Sequence, residues 1–352
     1  MEPYRVGFVG TTAPHSFLFL DTLRLIPDTA GEIHLVEPDA PRAAKAGADA
    51  VYDGLDEMLE RGRPHICFIM LPTDEVEGPA IRCAEAGIPL VIDKHVANTS
   101  AAIRRILAAC ERGGVKMSTC YTWRYSPMAQ DIRRWVEEGV VGQPYCFDAR
   151  MVTTSAALRT QDPQFAWLFD HERSGGGILI WLGCHYIDLI RFILQRRVEA
   201  VCAMTSRLTD VPSSVEDVAS VSFRLEGGLV GTLHCAYVMP DGLGDAYDSG
   251  FVVWGDQGDI TWAPVHRPHP TVVVRTKHPG WPAERGQTVA YDEKLVPQAY
   301  GGTQFVVDYF RDMIRRLVAG EDHIVTGEDA LRVVEICEAA YRAAATGWQV
   351  AL

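Results

Sequence analysis

The sequence predicts an α/β protein, a doubly wound parallel sheet followed by an α+β domain with a large, mostly antiparallel sheet. Three observations carry this. Short apolar strands alternate with helical patterns over the first 120 residues. Past Tyr145 the chain turns to β-branched runs punctuated by glycine turns. The end returns to helical spacing, at Gln304–Val318 and Gly327–Ala345.

Taken in order, Tyr4–Val9 is an apolar strand ending at Gly10, and His15–Ile26 has helical spacing stopped by Pro27. Glu32–Val36 reads as a strand, Pro41–Ala48 as a helix, Val51–Tyr52 as a short strand and Leu55–Arg61 as a helix closed by Gly62. His65–Met70 is a strongly apolar strand. The helix Val76–Ala86 ends at Gly87 and precedes the strand Leu90–Ile92. Ala101–Arg112 is a helix capped by Thr99 or Ser100 and stopped by Gly113–Gly114, and Val115–Thr119 is the sixth strand. Met128–Glu138 is a helix ending at Gly139. Val198–Leu208, Val218–Leu225 and Leu229–Val238 are strands, with Gly227–Gly228 as a hairpin turn between the last two. Phe251–Trp254 and Asp259–Trp262 flank a second turn, and Thr271–Arg275 is a strand inside a Pro- and His-rich stretch. Domains are expected at 1–122 and 123–352.

A chain of 352 residues accommodates two or three domains at roughly 100–200 residues each. Lys plus Arg is 33 and Asp plus Glu 46, so the net charge is 33 − 46 = −13. Such an acidic chain repels phosphate backbones, which disfavours nucleic acid as a partner. No stretch reaches the roughly 18 apolar residues of a membrane span, and the start lacks a secretory pattern. The 9 cysteines are scattered without a C-x-x-C pair. They read as free thiols in a reducing cytoplasm.

Ligands of doubly wound sheets bind outside the carboxyl ends of the strands. There, a dinucleotide fingerprint would put glycine at positions 10, 12 and 15. The chain has Gly10, Thr12 and His15, so only the tight-turn glycine is kept, although a helix N-terminus still offers N–H groups to an anion. Glu37 follows the second strand, where an acid suits the ribose hydroxyls of NAD and repels the 2′-phosphate of NADP. It is equally a plain loop acid until the fold is fixed. Lys94, after the fifth strand, is a surface lysine, a donor to a substrate oxygen or, if desolvated, a base. In Ser174–Asp188, SGGGILIWLGCHYID, His185 and Asp188 share a helix face, and Asp188 is placed to orient the imidazole. The bland alternative is a His–Asp pair on an ordinary helix. His266 and His269 are three apart but lack further ligands, so no metal is expected. Neither a nucleophile elbow nor a Walker loop is present.

The order of these pieces is similar to that of the glucose–fructose oxidoreductase / inositol dehydrogenase / rhizopine-catabolism (Gfo/Idh/MocA) family. RVGFVGTT resembles its nucleotide strand and turn, VEPD the acidic end of its second strand, and FIMLPT its "ATP" segment. AEAGIPLVIDKH resembles the run into its Glu-Lys-Pro motif, and YTWRYSP its Tyr-Asn-x-Arg-Phe-x-Pro junction. SGGGILIWLGCHYID and TGEDALRVVEICEAAYRAAATGWQV resemble its glycine-rich helix and closing helix. The resemblance implies a Rossmann domain and an open C-terminal sheet that supports a homodimer or homotetramer. It implies hydride transfer between NAD, rather than NADP, and a sugar, polyol or related compound. It implies Gly10, Thr11, Thr12, Glu37, Pro72 and Lys94 at the cofactor. It assigns Lys94 to polarise the reacting oxygen and His185 to exchange the proton, with Asp188 beside it. Trp123, Arg124, Trp167 and Trp181 join His185 as expected substrate contacts.

The departures are specific. The family's catalytic aspartate, four residues before the histidine, falls on Trp181. Losing that anion makes the Lys94 ammonium less favourable. Its Glu-Lys-Pro reads Asp93-Lys94-His95, so a trans bond is expected before His95. The junction asparagine is Thr122, and the common histidine after the "ATP" segment is Val76. Two further readings follow from these losses: a lyase or glycosidase that retains its NAD, and a non-catalytic sensor that kept the fold.

Overall fold

The computed structural model describes residues 2–154, 162–211, 213–240, 247–263, 265, 271–281 and 286–352. The chain divides into two compact units. One comprises Met1–Thr122, Pro163–Gly175 and Lys294–Arg332, the other Trp123–Asp162, Gly176–Glu293 and Val333–Leu352.

In the first unit six parallel strands stand in the order β3-β2-β1-β4-β5-β6. They are β1 Tyr4–Val9, β2 Ala30–Val36, β3 Ala50–Tyr52, β4 Ile66–Ile69, β5 Leu90–Ile92 and β6 Met117–Thr119. Every residue of β4 and β5 is buried, as expected of central strands covered on both faces. Strand order reverses between β1 and β4, which opens the ligand crevice at their carboxyl ends. Helix α1 (Ser16–Arg24) follows β1, α2 (Ala40–Ala46) follows β2, and α3 (Leu55–Glu57) follows β3. Helix α4 (Glu77–Glu85) follows β4 and α5 (Ser100–Gly113) follows β5. The α5 cap is Thr99, whose hydroxyl accepts from Ala102 N–H, and Gly114 at φ +66° ends the helix.

The unit takes in two segments that the sequence placed in the second domain, and the packing explains why. On the helix Gln304–Val318, Phe310 meets Phe19 with ring centroids 5.0 Å apart and Phe68 at 6.2 Å. Tyr309 donates to the Thr119 carbonyl, and Tyr300 N–H donates to Thr22 Oγ1 at 2.7 Å. In Pro163–Gly175, the Arg173 carbonyl accepts from Thr73 Oγ1 at 2.8 Å, and its guanidinium pairs with Asp74 and Glu75.

The second unit holds a nine-stranded sheet, β14-β13-β12-β11-β7-β10-β9-β8-β15. Its strands are β7 Pro144–Thr153, β8 Val198–Ser206, β9 Val218–Leu225, β10 Val230–Ala236, β11 Tyr247–Gly255, β12 Gly258–Trp262, β13 Thr271–Thr276, β14 Gln287–Ala290 and β15 Val350–Ala351. Neighbours are antiparallel except β7 and β10, which run parallel. Gly227 and Gly228, at φ +79° and +80°, turn β9 into β10. Along β9, Ala219, Val221, Phe223 and Leu225 are buried while Ser220, Ser222 and Arg224 are exposed, so one face is covered and the other open. Helix α6 (Pro127–Glu137) is capped by Ser126.

One run, His171–Leu194, does reach the length and apolar character of a membrane-crossing helix, contrary to the count made on sequence. Of its 18-residue window 89% is buried inside the protein, which makes it a core segment.

Candidate functional site

Gly10 closes β1 at φ +74°, with its N–H on the Val36 carbonyl at 2.9 Å. A Cβ there would stand 2.3 Å from Leu71 Cδ2 and 3.2 Å from the Met70 oxygen, so both the turn and the close approach require glycine. The next amides, Thr12 and Ala13, donate to the Met70 carbonyl at 3.1 and 3.0 Å. Those two donors are thereby committed to the protein, and the start of α1 has no side-chain cap. Thr12 Oγ1 is buried with no hydrogen-bond partner among the described residues, which leaves it available to a ligand. Pro72 is buried, and its carbonyl accepts from Glu75 N–H at 2.8 Å.

Glu37 is buried rather than a solvated loop acid. Thr11 Oγ1 donates to Oε2 at 2.5 Å and Asp39 N–H to Oε1 at 3.0 Å. A carboxylate fixed in this way accepts hydroxyl donors and opposes a further phosphate.

Asp93-Lys94-His95 follows β5. Lys94 is 1% exposed, so it is no surface lysine, and its N–H donates to Asp93 Oδ1 at 2.8 Å. The Lys94–His95 bond is cis, in contrast to the trans bond expected from the lost proline. Val96, buried and β-branched, stands at φ +82°, a conformation that costs on the order of 1–3 kcal/mol. The loop is fastened to the 163–175 segment. His95 Nε2 lies 2.8 Å from the Ser174 carbonyl oxygen, and Asn98 Nδ2 donates to the Glu172 oxygen at 2.9 Å. A Cβ on Gly175 would meet the Asn98 oxygen at 2.3 Å. The surroundings are dry: burial pushes the Cys120 thiol up, the Asp93 carboxylate adds to this, and the Lys94 ammonium opposes it.

Burial, followed by the Lys94 ammonium, lowers the His95 imidazole from 6.5 to about 4. Between these values the unfolded chain binds a proton that the folded protein refuses, so stability falls as pH drops through that window. The loss attributable to His95 is about 3 kcal/mol. Urea titrations at pH 7 and pH 4 check this: His95→Leu is expected to flatten the dependence, and an unchanged slope would refute it.

The second unit carries the remaining candidates. The rings of Trp123 and His185 lie 5.4 Å apart at 38°, and Trp123 meets Tyr186 edge-on at 5.2 Å. Both Trp123 and His185 are half-buried, whereas Trp181 is 3% exposed. Trp123 thus presents exposed ring surface that Trp181 lacks. Trp181 sits in a π-helical turn, Leu179–Gly183, with its N–H on the Gly177 carbonyl at 3.0 Å. Trp167 belongs to the first unit and is 4% exposed.

Arg124 and Asp188 are brought together as an ion pair. The Arg124 guanidinium donates to Asp188 through Nη2 at 2.5 Å and Nε at 3.0 Å, and both residues are buried. The arginine expected at substrate and the aspartate expected to orient His185 thus hold each other. Their pairing ties the Thr122–Tyr125 turn to the helix Cys184–Leu194.

The triple glycine serves the entry to that helix. A Cβ on Gly176 would sit 2.1 Å from Tyr341 Oη, and one on Gly177 2.0 Å from the Glu216 carbonyl oxygen. Glu216, which the sequence reading missed, accepts from Gly177 N–H, Leu179 N–H and Tyr341 Oη at 2.8–3.0 Å. Burial pushes its carboxyl up. Nothing local in the sequence marks it, because its partners lie 37 to 125 residues away. Among the described residues no cluster of His, Cys, Asp and Glu is placed for a metal, and His266 and His269 lie outside them.

A doubly wound sheet with a glycine turn after β1 and a fixed acid after β2 defines a dinucleotide-binding protein. The family model of the oxidoreductase family with an NAD-binding Rossmann fold matches residues 4–121, and that of the GFO/IDH/MocA C-terminal domain matches residues 129–261. The chain belongs to the Gfo/Idh/MocA family of oxidoreductases, enzymes that use NAD. It is 28% identical to a D-apiose dehydrogenase of Paraburkholderia graminis over 92% of this chain and 84% of that protein. It is 24% identical to a myo-inositol 2-dehydrogenase of Thermotoga maritima over 81% and 79%. The fold matches a levoglucosan dehydrogenase solved with NADH and levoglucosan, with TM-score 0.85, 19% identity and 99% of each chain covered. Gly10, the fixed Glu37 and the unpaired Thr12 hydroxyl fit the dinucleotide that the family binds.

Proposed function

We propose that this chain is an NAD-dependent dehydrogenase or reductase acting on a hydroxyl or keto carbon of a sugar, polyol or related compound. The observation that carries the reading is Lys94, fully buried at the carboxyl edge of β5 beside strained Val96, in the same unit as the turn and acid suited to the cofactor. The D-apiose and inositol dehydrogenases among its relatives support the substrate class. NAD, when bound, supplies the hydride acceptor. Lys94 hydrogen-bonds the reacting oxygen through its ammonium and stabilises alkoxide character there. His185 takes the hydroxyl proton, or returns one in the reductive direction. Trp123 gives the ring of the substrate an apolar face beside His185.

A panel of sugars and polyols with NAD and NADP, read as absorbance of the reduced cofactor, tests this. Turnover with NAD is expected, and no turnover with any member would overturn the reading. The panel also checks the acid: Glu37→Ala is expected to narrow the preference for NAD over NADP in kcat/KM by about tenfold or more. An unchanged preference would remove Glu37 from cofactor choice.

A further inference from the structure

We infer that His15 is a positioning residue for Lys94, acting through Asp93; this rests on the role given to Lys94 above. His15 stands where a dinucleotide fingerprint would have its third glycine, directly before α1. Its Nδ1 lies 3.0 Å from Asp93 Oδ1 and 2.8 Å from Oδ2. An ionised carboxylate only accepts, so the hydrogen of this bond sits on Nδ1. Asp93 Oδ1 also accepts the Lys94 N–H at 2.8 Å. The start of α1 and the loop bearing Lys94 are thereby joined through one carboxylate, all within the first unit.

The join is built rather than incidental. The side chains of His15 and Asp93 are only 15% and 6% exposed, so water competes poorly for the carboxylate. Tyr300 meets the imidazole edge-on at 4.8 Å, and Phe19 stacks on it at 6.2 Å and 13°. These rings fix the direction in which Nδ1 points. The same loop holds Val96 at φ +82°, a conformation that persists only where its surroundings over-determine it. The bond from His15 is one of those restraints. The consequence is that the segment suited to receive the cofactor and the residue that meets the substrate oxygen keep a fixed register.

The test uses the full chain with NAD and a sugar or polyol accepted in the panel. His15→Ala is expected to lower kcat by about 10- to 100-fold, as misplacement of a reacting group does, with much less change in KM. An asparagine amide reaches the position of Nδ1 and a glutamine amide that of Nε2. His15→Asn is therefore expected to recover most of kcat and His15→Gln not. A role in packing alone would lower Tm in all three variants and leave kcat unmoved. His15→Ala combined with Asp93→Ala is expected to be no slower than Asp93→Ala alone, since both break the same link. Equal kcat for Asn, Gln and wild type overturns the inference, and this comparison stands even where His15→Ala does not fold. Lys94→Met separates the two claims. If it abolishes turnover while His15→Ala keeps wild-type kcat, only the coupling fails; if it leaves turnover intact, the reading of Lys94 itself fails.

Discussion

Lys94→Met lowers kcat by about 10²- to 10³-fold and leaves the protein folded. The size follows from removing a preorganised donor at an oxygen where charge develops in a water-poor site. The fold is expected to survive because methionine keeps an unbranched chain of similar length and volume in the same space. Asp93 keeps its bonds from His15 and from the backbone N–H at residue 94. Steady-state kinetics with the accepted substrate, beside a thermal melt, separates loss of chemistry from loss of fold. A kcat within a few-fold of wild type would remove the lysine from the mechanism.

Arg124→Ala carries the largest expected loss of stability, about 3–5 kcal/mol, because it takes the guanidinium away from a carboxylate that stays in the interior. Asp188 is 1% exposed and takes both a short Nη2 bond and an Nε bond from the guanidinium. Water does not reach it to compensate. Converting the pair to Arg124→Met with Asp188→Leu removes both charges together and is expected to recover most of the loss. Denaturant titration of the three proteins checks the order: wild type and double variant close together, the single variant well below. If Arg124→Ala instead melted like wild type and raised KM alone, the arginine would belong to substrate binding.

The parallel sheet was legible because its apolar runs and glycine stops are local signals: β4 and β5 are apolar throughout, and Thr99 and Gly114 bound α5. The parallel β7–β10 pair was not, since strand direction leaves no mark on a β-branched run whose partner lies 84 residues away. Nor was the return of Lys294–Arg332 to the first unit, which depends on Phe310 reaching Phe19 and Phe68. At the site, Glu37 and Lys94 were legible from their places after β2 and β5. The i, i+3 spacing of His185 and Asp188 suggested a dyad, but the spacing carries no sign of Arg124, 64 residues upstream, which also holds that carboxylate. His15 read as a departure from the glycine pattern; the group that explains it, Asp93, lies 78 residues away.

Direct hydride transfer from a carbinol carbon is tested most directly by deuterium tracing. An accepted sugar or polyol, deuterated at the carbon to be oxidised, is incubated with the enzyme and NAD, and the reduced cofactor is analysed by mass spectrometry. The deuterium is expected in the nicotinamide ring of NADH. Deuterium lost to solvent, or product formed without net NADH, would contradict it and favour transient oxidation followed by elimination.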